Sequence, residues 1–493
     1  MGDQCSLRLV RVRAFPTIIH LGKLPGSLIS ALQELRQVER SEQLAFTVRY
    51  EESNIRDIQA LIIGPPGTPY ELGFYEVRST DPPSKGPSTL LEVWLTNCNR
   101  QFSIKIPSDY PANPPVVKIR TTNRGRTRFG PNLYANGKVC LSILGTWHGS
   151  RGEQWSPAQG LESVMLSIQS LLSSNPYTLE PGFEDNERAN DTENMEIYKS
   201  KIRHENLRLA VITPLEQSFQ TSSPPRRTAP RVGRESSAEE DSDVELEPEP
   251  GFLTRSKFND FCKRRFLWYF EFYQNAIEKG IADEPRRQGT PFIQMPFEGY
   301  GNAMGGEWNY IGLQARFLAL RDRLMEETYS WPFEGLALVK EDAGIAVKLR
   351  GQHEQIAAEM NAYPQVIDLS LVDSNPFVWR LTYVGRNESK LEGGIIKIKI
   401  YISPRHPEEQ PRVFVESPLY HIRVSKLGVL MYLPSHAEEI GQHIEGIINT
   451  LEDDNPPYNP LMTVNPEAAA LCWGSELDRR LYRRKLRASL EES

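Results

Sequence analysis

Apolar positions along the chain follow a helical spacing first and an alternating spacing afterwards. Residues 28–40 have an apolar residue at every third or fourth position, which predicts an amphipathic helix. Short strand-like segments follow at residues 45–50, 58–63, 102–106 and 116–120. The alternation is strict in Phe-Ser-Ile-Lys-Ile at 102–106, as expected for a strand with one face in water.

A second helix is predicted to begin near Ser156. Ser156 is a suitable N-cap, Pro157 fits the first helical position, and Gln159 completes a capping box. The apolar stripe that follows consists of Leu161, Val164, Met165, Ile168, Leu171 and Leu172. The order of helix, antiparallel strands, irregular loop and helices predicts an α+β domain.

Composition changes abruptly at residues 214–250. This segment begins basic and Pro-rich and then has eight acidic residues between Glu235 and Glu249, so it is predicted to be a disordered linker. An aromatic-rich helix is predicted at 258–277, either docked on the preceding domain or presented to the groove of a partner. The predicted divisions are an N-terminal helical segment (1–43), a core domain (44–213), the linker (214–250), a helical extension (251–330) and a last domain (331–493).

The last part of the chain repeats the plan of the first domain. Residues 396–400 alternate Ile and Lys, a helical apolar spacing covers 440–451, and a Pro-rich loop follows at 455–460. The sequence therefore predicts a second copy of the same α+β arrangement.

Comparison of the two copies reveals 25 extra residues in the first one. The distance along the chain from Gly394 to Pro407 is 13 residues, whereas from Gly73 to Pro111 it is 38. Removal of residues 77–101 restores an uninterrupted strand pattern.

Two hypotheses explain residues 77–101. One is a translated intron, since the ends can be encoded by GT and CAG and a CTAAC branch sequence fits Leu-Thr-Asn at 95–97. The other is a genuine surface loop, which a hairpin tolerates at small entropic cost.

Overall composition excludes several classes of protein. Apolar residues make up 39% and charged residues 25%, as in soluble globular proteins, and no run of 18 apolar residues or secretory leader is found. A net charge of −7 does not favour nucleic-acid binding. The five cysteines are scattered without metal-ligand spacing, so no metal site is expected and a reducing compartment, cytoplasmic or nuclear, is predicted.

Cys140 is surrounded by a distinctive set of residues. Phe-Gly-Pro-Asn at 129–132 ends eight residues before it, Gly-Lys-Val at 137–139 leads into it, and Trp-Ser-Pro-Ala at 155–158 follows. These residues resemble the active-site region of the ubiquitin-conjugating enzymes. With the segment at 175–184, the resemblance is strongest to the large Z-type members of that family.

The resemblance implies a UBC fold and a function for Cys140. In the family, this cysteine receives ubiquitin from the activating enzyme as a thioester and passes it to a substrate lysine. Asn132 would then stabilise the oxyanion, because an amide donates a hydrogen bond without titrating. Glu180 would orient the lysine, and Tyr177 and Trp155 would line the substrate channel. Trp147 and Trp155 are also expected to pack around the site.

One departure from the family motif concerns the loop before the cysteine. Most members have His-Pro-Asn where this chain has Gly130, Pro131 and Asn132. The resemblance implies that the histidine is structural, so its absence affects the rigidity of the loop more than its chemistry.

The second copy is predicted to be inactive. When Val429 is aligned with Val139, Leu430 stands at the position of Cys140 and Ile422 at the position of Asn132. Two functions from different classes remain: a ubiquitin or ubiquitin-like conjugating enzyme with Cys140 as the carrier, and a non-catalytic ubiquitin-binding scaffold.

The implied partners are the modifier, its activating enzyme and a ubiquitin ligase. The chain needs no cofactor of its own, because ATP is used by the activating enzyme. Nucleic acid and membranes are not expected as partners.

Overall fold

Two α+β units follow one another along the chain, each built on an antiparallel sheet. The computed structural model describes residues 26–40, 44–51, 54–78, 104–149, 152–185, 188–220, 258–299, 301–340, 343–360 and 363–492. The α+β class predicted from the sequence is confirmed. No helix in this part of the chain combines the length and apolar character needed to cross a membrane.

The first sheet has the strand order β1-β2-β3-β5, and β4 also pairs with β2. The strands are β1 (Phe46–Glu51), β2 (Asn54–Ile63), β3 (Phe74–Arg78), β4 (Ile104–Lys105) and β5 (Lys118–Ile119). One face of the sheet is covered by α1 (Gly26–Arg40) and α2 (Leu161–Ser170). The predicted stripe of α2 is buried at Leu161, Val164, Met165 and Ile168, which confirms its apolar face.

A series of helices completes this unit. They are α3 (Asp191–Glu205), which continues through the π-helical turn Asn206–Ile212 into α4 (Thr213–Gln220), then α5 (Asn259–Trp268), α6 (Phe270–Asp283) and α7 (Tyr310–Leu338). The aromatic residues of α5 and α6 are mostly buried in the first core, so this segment is docked, and the alternative of a groove-binding helix is not supported.

The second sheet has the order β6-β7-β8-β9. Its strands are β6 (Val366–Leu371), β7 (Val378–Val384), β8 (Ile395–Tyr401) and β9 (Arg412–Val415). The helices around it are α8 (Gly344–Met360), α9 (Ile440–Glu452), α10 (Pro466–Cys472) and α11 (Glu476–Glu491). A helix before the sheet, an irregular loop after it and a further helix repeat the order of the first unit.

Strands β3 and β4 are two halves of one strand. Pairing with β2 runs from Ile63↔Phe74 to Gln59↔Arg78 and resumes at Ile58↔Ile104 and Asp57↔Lys105. The register is the one that would follow if 25 residues were removed between the halves, and β8 runs against β7 without any interruption. Residues 79–101 of the predicted insert lie outside the described residues, but the flanks of the insert fit a continuous strand.

The loop that follows each sheet has the same hydrogen bonds in both units. Cys140 N donates to Asn132 O in the first unit, and Met431 N donates to Arg423 O in the second, both at 2.9 Å. Other hydrogen bonds correspond as well. Tyr134 N donates to Lys138 O in the first loop, and Ser425 N donates to Val429 O in the second.

These pairs fix the alignment of the two units. Met431 occupies the position of Cys140, and Arg423 occupies that of Asn132. The predicted equivalents Leu430 and Ile422 were therefore wrong by one residue, because adjacent apolar residues cannot be aligned without the hydrogen bonds. Neither a cysteine nor an asparagine stands at these two positions of the second loop.

The two units share a buried interface. Asp260 of α5 forms an ion pair with Arg412 at 2.8 Å and accepts a hydrogen bond from the backbone N of Gln410 at 3.2 Å. The Tyr269 hydroxyl donates to Leu461 O at 2.6 Å. Met431, fully buried, packs into the core of the first unit. The face of the second loop that corresponds to the reactive face of the first is therefore covered.

Several predicted boundaries are corrected. Helix α2 begins at Leu161 and not near Ser156, since Ser156 and Gln159 pair with each other in a turn before the helix. The predicted aromatic helix is broken at Tyr269, between α5 and α6.

The domain limits shift as well. The first residues of the predicted linker form the end of α4, where Leu215 and Phe219 are buried; residues 221–250 lie outside the described part. The predicted boundary between residues 330 and 331 falls inside the continuous helix α7.

Candidate active site around Cys140

The loop that contains Cys140 is held by its own backbone. Gly130 and Leu133 form an isolated bridge, as do Leu133 and Val139. A tight turn lies between them, in which Gly137 N donates to Tyr134 O at 2.9 Å. Gly137 has a φ of 87°, a left-handed conformation that favours glycine. The loop therefore brings Asn132, Tyr134 and Cys140 together.

Cys140 is a free cysteine with only 3% of its surface exposed. The turn after it is fixed by Thr146, whose hydroxyl donates to Val139 O at 2.7 Å and accepts from Leu141 N at 3.0 Å. A partner thioester could reach the sulfur only after a small displacement of the neighbouring side chains.

Asn132 lies directly beside the cysteine. Its backbone carbonyl accepts from Cys140 N, and its side-chain Nδ2 donates to Cys140 O at 3.2 Å. An amide nitrogen carries two protons, so one donor holds the loop and the other can serve a ligand at the sulfur. The structure thus brings the two predicted residues together.

Tyr134 is a residue of the site that the sequence analysis missed. Burial and the adjacent Cys140 sulfur raise the pKa of Tyr134, while Arg128 opposes this effect. The position of Tyr134 two residues after Asn132, in the same turn, was the available sequence signal.

Arg128 is a second missed residue, and it contacts both predicted polar segments of the site. Its guanidinium donates to Gly130 O at 3.1 Å, to Pro131 O at 2.9 Å and to Glu180 Oε2 at 2.7 Å. Glu180 is therefore near the loop, as predicted, but one of its oxygens is engaged in an ion pair. The partner lies 52 residues away in sequence, so no local pattern predicted this contact.

Tyr177 does not line an open channel, contrary to the prediction. It is fully buried, its hydroxyl donates to Asp191 Oδ1 at 2.8 Å, and its ring packs against Phe183 and Phe297. An acceptor lysine cannot contact this side chain while the surrounding aromatic cluster is in place.

The two predicted tryptophans have different environments. Trp155 is half-buried, and its Nε1 donates to Pro111 O at 2.8 Å while the ring lies against Tyr110. Its contacts are thus structural, and none of them places it in a substrate channel. Trp147 is 46% exposed, so it does not pack around the site as expected.

A segment between α6 and α7 packs against the outside of the loop. Asn302 Oδ1 accepts from Ala135 N at 3.2 Å, and Phe297 O accepts from Arg128 at 3.3 Å. The segment is anchored by Glu298, which forms a fully buried ion pair with Lys201 at 2.7 Å. The helical extension therefore contributes directly to the surroundings of the active-site loop.

Comparisons with known proteins agree with this site. A family model described as ubiquitin-conjugating enzyme matches residues 92–206. The ubiquitin-conjugating enzyme E2 Z of Danio rerio is 34% identical over 270 residues, which cover 55% of this chain and 60% of the relative. Among solved structures, the E2 domain of a Toxoplasma gondii ubiquitin conjugating enzyme aligns at 24% identity over 37% of this chain and 98% of that chain, with a TM-score of 0.26.

Residues 92–206 thus match the ubiquitin-conjugating enzyme family, and the first unit has the UBC fold. Within the family, the chain is similar to the Z-type enzymes, including that of Homo sapiens, with 32% identity over 306 residues. That match covers 62% of this chain and 66% of the human relative. The chain thus spans less than two thirds of the length of these relatives.

Proposed function

We propose that this chain is a ubiquitin or ubiquitin-like conjugating enzyme that carries its modifier on Cys140. The observation that supports the proposal most is the position of Asn132, whose amide lies against Cys140 in the same hydrogen-bonded loop. A buried structural cysteine would need no donor beside it, whereas an acyl carrier needs one where negative charge develops.

The first step is an exchange of thioesters. The Cys140 sulfur, as thiolate, attacks the carbonyl carbon of the modifier's thioester on the activating enzyme. A new carbon–sulfur bond forms, the old one breaks, and the leaving thiolate takes up the proton that Cys140 has lost. No cofactor takes part, because ATP has been consumed by the activating enzyme.

The second step forms the isopeptide bond. The neutral amine of a substrate lysine attacks the thioester carbonyl, and Asn132 donates a hydrogen bond to the oxyanion. The bond to Cys140 then breaks, the sulfur leaves as thiolate, and the proton that the nitrogen loses passes to Glu180 or to water. Glu180 would act through the carboxylate oxygen that Arg128 does not hold. A nearby carboxylate raises the pKa of an amine, so its contribution is orientation or proton acceptance.

The second unit is proposed to be a degenerate UBC-like domain that serves as a docking platform. Its loop keeps the backbone hydrogen bonds of the first unit, yet Met431 and Arg423 stand at the chemical positions. An extension and an inactive domain attached to a catalytic core would provide surfaces for a ligase or substrate. The proposed site of action is the cytoplasm or nucleus.

A charging assay tests the proposal. The full chain is incubated with activating enzyme, ATP and ubiquitin, or another modifier, and examined on gels with and without reductant. We expect an adduct that reductant removes and that Cys140→Ala lacks. Binding of the modifier without any adduct would favour the scaffold instead. A version without residues 77–101 is tested in parallel, because this insert could itself prevent charging.

A further inference from the structure

Arg128 makes hydrogen bonds both within the active-site loop and to residues far outside it. It is buried, with 2% of its surface exposed, and its guanidinium donates to three backbone carbonyls and one carboxylate. Burial of a guanidinium is costly unless every donor finds a partner. A side chain that is satisfied in this way holds its partners in fixed positions relative to one another.

The partners of Arg128 come from three separate parts of the site. Gly130 and Pro131 lie immediately before Asn132, Glu180 lies on the loop after α2, and Phe297 lies on the extension. The guanidinium also lies 5.3 Å from the ring centroid of Tyr134. One cation therefore connects the oxyanion loop, the acidic residue and the segment outside the loop.

The second unit differs at this point. Leu419 stands where Arg128 does, in the alignment that the loop hydrogen bonds fix. There the loop is held by His421, whose Nδ1 accepts from Arg423 N at 3.2 Å. The unit that has lost the cysteine and the amide has thus lost the arginine as well.

The far side of Arg128 is fixed by a second ion pair. Glu298 accepts from Met295 N at 2.9 Å and from Met304 N at 3.2 Å, while Lys201 of α3 neutralises it. Both charged side chains are fully buried. This arrangement orders the segment that presents Phe297 to Arg128, so the position of the arginine is determined from both sides.

We propose that Arg128 is a positioning residue that sets the placement of Asn132 relative to Cys140, in place of the loop histidine that this chain lacks. The proposal rests on the proposed function. Without the guanidinium, the carbonyls of Gly130 and Pro131 lose their donors and Glu180 loses its partner. The amide of Asn132 then moves relative to the thioester carbonyl, and displacements of about 1 Å can slow a reaction by about 100-fold.

Separate measurements of thioester formation and of discharge to lysine distinguish a positioning role from a merely structural one. The full chain is charged, the charging reaction is stopped, and the decay of the thioester is followed with free lysine in single turnover. For Arg128→Ala we expect the charged fraction to stay within about twofold of wild type and discharge to slow by about 100-fold. Arg128→Lys keeps the charge but not the fork geometry and should slow discharge by about tenfold.

A double-mutant cycle tests whether Arg128 acts through the amide. If it does, Arg128→Ala added to Asn132→Ala should slow discharge by no more than about twofold beyond Asn132→Ala alone. Arg412→Ala is the matched control, since it removes an arginine side chain of equal exposure, 3%, from an ion pair in the other unit. It should lower the melting temperature and leave discharge unchanged.

Two results would overturn the proposal. One is normal discharge by Arg128→Lys, which also decides the question if Arg128→Ala does not fold. The other is a full additional loss in the Asn132→Ala background, which would mean that the arginine acts independently of the amide. Absence of charging in both the full chain and the version without residues 77–101 would instead refute the proposed function.

Discussion

The two loops that follow the two sheets have the same backbone and different side chains. The bridge between Leu133 and Val139 corresponds to the one between Val424 and Leu430, and the same turn is closed by Gly137 in the first unit and Gly428 in the second. The first loop presents Cys140 beside a donor amide, whereas the second buries Met431. The backbone conformation is thus independent of the reactive groups, and the fold alone does not define a carrier.

Burial marks the second difference between the loops. In the first unit Cys140 is buried but not completely, with 3% of its surface exposed, and Asn132 and Tyr134 beside it are half-buried. In the second unit the corresponding face packs into the core of the first unit. The face of the second loop that corresponds to the Cys140 face of the first is therefore an internal contact and not an exposed surface.

Transfer of the reactive residue to the second loop would give the largest effect. We expect Cys140→Ala combined with Met431→Cys to abolish charging completely, because the new thiol lies at a buried interface without a donor amide. Gel analysis of the reductant-sensitive adduct measures this, with Cys140→Ala alone as the control. An adduct on the introduced cysteine would show that the two loops are chemically equivalent.

The interface between the units depends on Asp260. Burial alone would raise the pKa of Asp260, but Arg412 and Arg264 lower it below the ordinary carboxyl value. Asp260→Ala leaves two buried arginines without their partner and should reduce the free energy of unfolding by roughly 3–5 kcal/mol. Denaturant unfolding at neutral pH measures the change.

The same carboxylate gives a dependence on pH. Its folded pKa is below the unfolded one, so its contribution is present above about pH 4 and is lost as the pH falls further. Asp260→Asn should flatten that acid step. An unchanged step would mean that the interface does not depend on this ion pair.

Removal of the inserted residues tests whether β3 and β4 together correspond to the uninterrupted strand β8. Deletion of 77–101 should join β3 to β4 as one strand, like β8, and increase the free energy of unfolding. The loop-closure term, (3/2)RT ln n for 25 residues, amounts to about 3 kcal/mol. Replacement of the segment by a Gly/Ser sequence of equal length is the control and should not stabilise the protein.

Two results would contradict this interpretation of the strand. One is a deletion variant that fails to fold, since a strand that is continuous in register should need nothing between its halves. The other concerns the intron hypothesis only: mature transcripts that contain codons 77–101 would exclude a retained intron.

Buried histidines distinguish the second unit at mildly acidic pH. Burial, with Arg423 and Lys390, lowers the pKa of His421 to about 3, and burial lowers that of His443 to about 4. Their unfolded pKa is near 6.5, so the unfolded state binds protons first and stability falls as the pH decreases below that value.

The expected loss is on the order of 1 kcal/mol for each histidine per pH unit. Hydrogen exchange at pH 7.5 and 5.5, after correction for intrinsic rates, should show reduced protection around β9 and α9 first. His443→Gln should reduce the effect. A loss of protection that is unchanged in His443→Gln and in a matching His421→Gln variant would mean that these histidines do not set the acid response.

The sequence predicted the parts of the fold that depend on local spacing. The helices at Leu161 and Ile440 and the sheets follow from patterns within a few residues, whereas the pairing of Asn132 with Cys140 was implied by the family resemblance. The alignment of the second loop failed by one residue, since Val429, Leu430 and Met431 are all apolar and only hydrogen bonds distinguish them.

The remaining errors come from long-range contacts. Arg128 was missed because its partners Glu180 and Phe297 are 52 and 169 residues away. Tyr177 was placed in a channel because nothing nearby in sequence indicates that Phe297 covers it. Such contacts depend on how the extension packs, and no periodicity encodes that.

Helix α7 belongs to both halves of the molecule. Over its 29 residues, Phe317 and Leu320 fill the first core, whereas Trp331 stacks on Arg412 and Gly335 lies so close to Phe377 that no side chain would fit. Because α7 packs in both cores, it couples the unfolding of the two units. The protein should therefore unfold in a single calorimetric transition. Cleavage of the chain within α7 should make the unfolding of both units less cooperative.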